Sequence, residues 1–525
     1  MKRFAFVTFP SQELERPPAA AAAIQACVKK VGWECKVFDF NLHLNQHVTT
    51  DAWIEMESYW RCKSLSLSDQ TTTELHNHIK NYIQLIKDYD ADMIGISVFT
   101  RFSVVPAWMF LNFLHNQTRA SIIMGGAGAY AWPGSLPALN SQNLSSDSAT
   151  FAEMAQKLGY IDHYIVGDGE EAIIKLLQNE ENIPGVNGIQ SKQVMDLESL
   201  PNPDYTGIEP SNYFYTHKPG VYITATRGCV RRCTFCNIPE IWPKFRARSA
   251  DDVVKEIITN KKKYNVDLFH FTDSLLNGNM KTWRSINEKL IQVKTKDSSL
   301  KDIAYMGQFI CRPEIEQTER DWNLMAQAGA EILVTGFESY SEHVREHMGK
   351  KYSNSDIDFH FEQSALHGIK NVALMFVGYP VETLEDHEMN IEFLHRYQKY
   401  AKSGIIHMIR WGYTGMFREP EKVEKPGEVK LITDPDFAKR FSNLPQGLRD
   451  IALGFGWINE LNPSLDLRER IRRRLEIHEI SVKLGWPQTR NREELQILYN
   501  ILYNYKNSTL DAKDFDELDT LLDFH

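Results

Sequence analysis

The 525-residue chain contains no apolar run of the ~18 residues that a membrane-spanning helix needs, so no membrane role is expected. Its first residues, MKRFAFVTFPSQE, lack the small-residue cleavage site of a signal peptide and read as a first strand. There is no internal repeat and no low-complexity tract. Positive charge is not in surplus: the formal net charge is −10, which argues against a protein built to coat nucleic acid but leaves room for a local basic groove. Cysteine is scarce and uneven. Seven residues make no even framework, and without a secretory signal the chain is expected to be cytoplasmic and reduced. Any cysteines that cluster are then metal ligands or catalytic groups.

What is present is an alternation of short apolar runs with helical patterns. In residues 1–190 the runs RFAFVTF (3–9), CKVFDF (35–40), DMIGISVF (92–99), SIIMGG (121–126) and HYIVG (163–167) predict strands. A small-residue helix follows the first, and Gly32 stops it. Strands separated by helices predict a doubly wound parallel sheet. Gly125, Gly126, Gly128, Gly167 and Gly169 fall at strand ends, on the edge where such sheets bind ligands; tight turns alone account for them equally well. Residues 191–220, including LESLPNPDYTGIEPSNYF, read as a linker. From 221 to 420 six further strand-plus-helix units, from VYITATRG to GIIHMIRW, predict a partial (β/α)6 barrel with its chemistry at the carboxyl ends of the strands. Residues 421–525 read as a small helical region. The charges of its run RERIRRR (468–474) are expected to form a solvated face, with a phosphate or acidic partner as the alternative. Trp457 and Trp486 are expected in its core.

Three cysteines stand together in TATRGCVRRCTFCNIP, at Cys229, Cys233 and Cys236. A structural zinc site wants a fourth ligand, and the next histidines, His217 and His270, are distant in sequence. A redox C-x-x-C pair leaves Cys229 without a role. A [4Fe-4S] cluster on three thiolates keeps one iron open for a substrate or cofactor. The spacing and the strand-end placement favour the cluster.

The loop resembles that of the radical S-adenosylmethionine (SAM) enzymes, with Phe235 before the third cysteine. FTDSLLNGN (271–279), GFESYSEHVREHMGKKYS (336–353) and FVGYPVETLEDH (376–387) resemble that family's later strand-end motifs. The resemblance implies that the three cysteines hold the cluster and that its open iron binds SAM. Reduction by a donor such as flavodoxin or ferredoxin then yields a 5′-deoxyadenosyl radical. It also implies that Glu338 contacts the SAM ribose, that Asp273 or Ser274 lies near the methionine end, and that Gly378–Pro380 lies near the adenine. Taken by themselves, Glu338 and Asp273 read equally as strand-end caps. Arg312 is either a carboxylate ligand or half of a structural salt bridge.

The first 190 residues resemble the cobalamin-binding domain fused to many radical SAM enzymes, carried by RPPAAAAAIQACVKKVGWECKVFDFN, ADMIGISVFT, IIMGGAGAY and DHYIVGDGEEAIIKLL. The D-x-H-x-x-G histidine of cobalamin mutases is absent: FPSQELERPP follows the first strand. Many members of the fused subfamily also lack it. The resemblance implies cobalamin contacts at Ser97 and Thr100, at Gly125, Gly126 and Gly128, and at Gly167, Gly169 and Glu170.

The expected activity is cobalamin-dependent methylation of an unactivated carbon in a small molecule or peptide. Alternatives are another radical reaction (cyclisation, ring contraction, epimerisation) or a non-catalytic iron–sulfur role. A methylthiotransferase is a further alternative, with a second cluster on Cys27, Cys35 and Cys62. Those three, and Cys311, read otherwise as ordinary buried thiols.

Overall fold

The computed structural model describes residues 1–10, 13–60, 66–130, 150–214, 218–236, 238–412, 423–440, 442 and 456–487. By its contacts the chain divides into two units. Among the described residues the first takes 1–222 with 262–266, and the second takes 223–261 and those from 267 on.

In the first unit β1 (Arg3–Thr8), β2 (Glu34–Asp39), β3 (Met93–Ser97), β4 (Ser121–Gly125) and β5 (His163–Tyr164) form one sheet in the order β2-β1-β3-β4-β5. All its pairings are parallel. β1 and β3 are apolar and buried along nearly their whole length, as strands covered by helices on both faces must be. The chain steps outward from β1 to β2, then crosses back to β3, so the carboxyl ends of β1 and β3 flank the topological switch point of the sheet.

The segment read as a linker is tied to this unit. Gln25 Nε2 donates to the carbonyls of Asp204 and Thr206, each at 2.8 Å. Lys29 pairs with Asp204 at 2.6 Å, and Tyr213 donates its hydroxyl to Asp39 at 2.6 Å.

The second unit is the partial barrel. Its strands are β6 (Gly220–Ile223, of which the division by contacts leaves residues 220–222 with the first unit), the ribbon strands β7 (Thr226–Arg227) and β8 (Arg246–Ala247), then β9 (Leu268–Phe271), β10 (Ala304–Phe309), β11 (Ala330–Glu338), β12 (Lys370–Phe376) and β13 (Ile406–Gly412). Six of them make one sheet in the order β13-β12-β11-β10-β9-β6, so neighbours in sequence are neighbours in space once the ribbon is set aside. One face of the sheet carries the apolar side chains Ile332, Val334 and Val372, with Met306 and Leu374 packed on them. The other face is buried under the helices, in a core that includes Phe337, Phe361, Phe393 and Tyr397.

The carboxyl-terminal part of this unit is not only helical. β14 (Leu431–Thr433) pairs antiparallel with β15 (Trp457–Asn459) ahead of the helix Leu467–Lys483. That helix docks onto the helix Leu384–Lys402: Ile477 joins the Phe393 core, and Trp486 Nε1 donates to Leu394 O at 3.1 Å. Trp457 and Trp486 are both buried. Residues 488–525, the end of the region read as helical, lie outside the described residues. Among the described residues no helix is long and apolar enough to cross a membrane.

Candidate functional site

The cysteine loop leaves the barrel at the carboxyl end of β6 and is closed at its base by the β7–β8 ribbon, in which Thr226 pairs with Ala247 and Arg227 with Arg246. Gly228 has φ +84°, and a Cβ there would lie 2.6 Å from Lys244 O, so the chain turns into the loop only with glycine at this position. Cys229, Cys233 and Cys236 are free and half-buried. The Arg231 N–H donates to Cys229 Sγ at 3.4 Å. Burial pushes the Cys233 thiol up to about 11, against the pull of the Lys350 ammonium, and also raises Cys236. Among the described residues no three His, Cys, Asp or Glu side chains gather around a single-ion site. A four-iron cube makes no such demand, because each thiolate takes a separate corner. The donor set therefore fits a three-thiolate cluster.

Two further strand-end segments are stitched to this loop. Thr234 N–H donates to Met348 O at 3.2 Å. The Thr234 hydroxyl lies 2.8 Å from the Tyr379 hydroxyl, which in turn lies 3.2 Å from His347 Nδ1. Phe235 packs on Phe376 with ring centroids 5.0 Å apart.

Glu338 ends β11 in an unusual backbone state. The register with β12 shifts between Gly336 and Glu338, and Glu338 has φ +68°. Every other non-glycine residue with positive φ among the described residues is Asn or Asp. A left-handed glutamate costs on the order of 1–3 kcal/mol and persists only where its surroundings hold it. Lys350 is the holding group. Its buried ammonium donates to Glu338 Oε1 at 2.9 Å and to Gly336 O at 2.8 Å. Burial works against that charge, but the Glu338 carboxylate outweighs it and keeps the ammonium well above its ordinary range. Lys350 also stands 5.8 Å from the Phe235 ring centroid, linking Glu338 to the cysteine loop. The sequence reading missed Lys350. It lies inside the GKKYS end of the motif, but nothing there distinguishes it from Lys351.

Asp273 is fully buried, and its Oδ2 accepts from Ala225 N at 3.0 Å, tying β9 to the strand that feeds the cysteine loop. Burial raises this carboxyl to about 6, opposed by bonds from Thr226 and Ala225. Ser274 is partly exposed and is the accessible member of the pair. Gly378 has φ +76°, donates its N–H to Glu382 Oε2 at 3.1 Å, and leaves no room for a Cβ, which would sit 2.7 Å from Arg470 Cγ. Pro380 O accepts from Asn459 Nδ2 at 3.1 Å. Arg312 serves structure: its guanidinium donates to Asn277 O and Gly278 O and pairs with Glu316. Cys311 is fully buried against Phe337 and Tyr340 in the core, where desolvation pushes its thiol to about 12.

In the first unit the strand-end glycines divide into two kinds. A Cβ on Gly126 would lie 2.4 Å from Val98 O, and one on Gly128 2.1 Å from Thr100 O. These two let the β3 and β4 loops dock on each other, and Gly128 N–H donates to Val98 O at 2.9 Å. Gly125 and Gly169 have ordinary space around them, and Gly167 takes φ +85°. Ser97 is buried in register with Thr8 and Gly125. Thr100 caps a short helical turn with Ser103. Glu170 is buried in the first turn of the helix Gly169–Leu177. Phe99, inside the candidate loop Ser97–Arg101, is a large apolar side chain left exposed at the carboxyl edge.

Residues 223–394 match the model of the Radical SAM superfamily. The chain carries a radical SAM domain. The domain implies a [4Fe-4S] cluster and SAM, and it contains the three cysteines, Glu338 and Lys350. Ribosomal protein uS12 methylthiotransferase RimO of Clostridium botulinum is 28% identical over 233 residues, which are 43% of this chain and 51% of that protein. Cytidylyl-2-hydroxyethylphosphonate methyltransferase of Streptomyces wedmorensis is 23% identical over 371 residues, 65% of each. The chain thus spans about half of the first relative and just under two thirds of the second. The solved structure of the cobalamin-dependent SAM radical enzyme OxsB with aqua-cobalamin bound aligns with 99% of this chain and 75% of its own, at a TM-score of 0.61 and 15% identity. At that identity the likeness shows the shared fold.

Proposed function

We propose that this radical SAM chain is a cobalamin-dependent methyltransferase that acts on an unactivated carbon of a small molecule or peptide and takes its electrons from a small donor such as flavodoxin or ferredoxin. The observation that carries the reading is the pairing, in one chain, of a three-thiolate radical SAM domain with a β2-β1-β3-β4-β5 parallel sheet. That architecture is shared with OxsB. Bound cluster and SAM supply a 5′-deoxyadenosyl radical, and bound cobalamin supplies the methyl group. The chain's own residues do the positioning. Cys229, Cys233 and Cys236 hold three irons. Glu338, kept in its left-handed state by Lys350, accepts from the two ribose hydroxyls of SAM. The carboxyl-edge loops at Ser97–Arg101, Gly125–Gly128 and Gly167–Glu170 cradle cobalamin, and exposed Phe99 adds an apolar contact.

The likeness to RimO favours a methylthiotransferase as the second reading. Against it, Cys27 is fully buried inside the helix Ala19–Lys30, and Cys35 is buried near the start of β2, the end opposite the ligand edge. Desolvation also pushes the Cys35 thiol up to about 12. Cys62 lies outside the described residues. Cyclisation, ring contraction and epimerisation share the same radical source. Products separate methyl transfer from cyclisation, ring contraction and epimerisation, and a requirement for cobalamin separates it from methylthiolation. Reduced, cobalamin-loaded protein incubated with SAM is expected to yield 5′-deoxyadenosine together with S-adenosylhomocysteine. Deoxyadenosine alone moves the assignment to a radical reaction without methyl transfer.

A further inference from the structure

The helix Leu467–Lys483 and strand β15 lie beyond the radical SAM domain, yet their side chains fix the backbone of the segment Gly378–Thr383. Arg473 is buried, and its Nη1 alone donates to Glu382 Oε1 at 3.0 Å, Glu382 O at 3.2 Å and Thr383 O at 2.8 Å. Glu382, also fully buried, passes the constraint on by accepting the Gly378 N–H at 3.1 Å. Arg470 fills the space beside Gly378, with its guanidinium 3.8 Å over the Trp457 ring centroid and Nη2 donating to Trp457 O at 3.0 Å. Asn459 takes the Pro380 carbonyl. Of the arginines that the sequence suggested as a solvated face, Arg468 and Arg472 are exposed, but Arg470, Arg473 and Arg474 are buried, and the partners of Arg473 stand some 90 residues earlier in the chain.

We propose that Arg470, Arg473 and Asn459 are positioning residues for SAM, presetting the Gly378–Thr383 segment against which its adenine binds. The inference rests on the reading of that segment as the adenine site. A loop after a strand pays an ordering cost when a ligand binds it, and tying its backbone beforehand removes that cost. A buried ion pair contributes little net stability over an apolar pair, because desolvation offsets attraction, so stability alone does not account for Arg473–Glu382.

The test uses the full chain, reconstituted with iron and sulfide without oxygen. It reads iron per chain, SAM affinity by equilibrium dialysis, and the change that SAM makes to the electron paramagnetic resonance spectrum of the reduced cluster. Arg473→Met is expected to weaken SAM binding about ten-fold or more with iron content unchanged. Arg473→Lys, with three donors on one ammonium, is expected to restore affinity to within about three-fold of the parent. Asn459→Ala, which leaves the ion pair in place, is expected to weaken SAM binding about three-fold and decides the question if Arg473→Met does not fold. Lys483→Ala, exposed on the same helix, is expected to change nothing. Parent-like SAM affinity in an iron-loaded Arg473→Met or Asn459→Ala protein overturns the proposal. A parent protein with full iron that binds no SAM overturns the underlying reading of the site instead.

Discussion

Cys233→Ala is expected to abolish the cluster: iron falls from about four per chain to below about one, and 5′-deoxyadenosine formation drops at least about 1,000-fold. The size of the effect follows from the ligand count. The loop offers three thiols, and among the described residues no fourth cysteine or histidine gathers beside them. With one thiol gone, two thiolates hold a cube that already has an open iron. Cys229→Ala and Cys236→Ala are expected to behave alike. The fold is expected to survive all three, because the cysteines are half-buried in a loop and make no part of the apolar cores. Circular dichroism and iron analysis on the same preparation check both halves. Full iron in any of the three variants sinks the assignment of that cysteine.

Glu338→Gln is expected to weaken SAM binding roughly 10- to 100-fold, the range for a charge-assisted hydrogen bond worth about 1.5–3 kcal/mol. The complementary change, Lys350→Met, leaves the Glu338 carboxylate buried without its cation and is expected to cost about 3–5 kcal/mol of stability. The double variant separates the two roles. Removing both charges relieves the buried imbalance, so stability is expected to return most of the way. SAM affinity is not expected to return, since the ribose still lacks its carboxylate. Chemical unfolding and equilibrium dialysis on the four proteins give the cycle. Recovery of SAM affinity in the double variant would show that Glu338 acts through Lys350 and not on the nucleotide.

The central strands β1 and β3 were legible because each is a short apolar run, and burial on both faces leaves no alternation to misread; the two-residue ribbon strands β7 and β8 and the pair β14–β15 were not. The cysteine loop was legible because three thiols in eight residues have few chemical uses. The order β2-β1-β3-β4-β5 was not legible, since the sequence gives strand existence but not lateral neighbours. Lys350 stayed hidden because its partner Glu338 is aimed at it by a register shift and a left-handed backbone, neither of which leaves a mark in composition. Arg470 and Arg473 were misassigned for a related reason, whereas Arg468 and Arg472 are exposed as read. A dense charge run reads as solvated, yet Arg470 stacks on Trp457 and Arg473 reaches Glu382, and contacts across that separation depend on how helices pack. Gly126 and Gly128 show the opposite case. Their positions suggested ligand binding, and the structure gives them a packing reason as well.

The measurement that tests the account most directly is the iron and cobalt content of protein purified without oxygen from cells supplied with cobalamin. The account predicts about four irons and about one cobalt per chain. Four irons with no cobalt would contradict it, leaving a radical SAM enzyme whose amino-terminal sheet serves some other ligand.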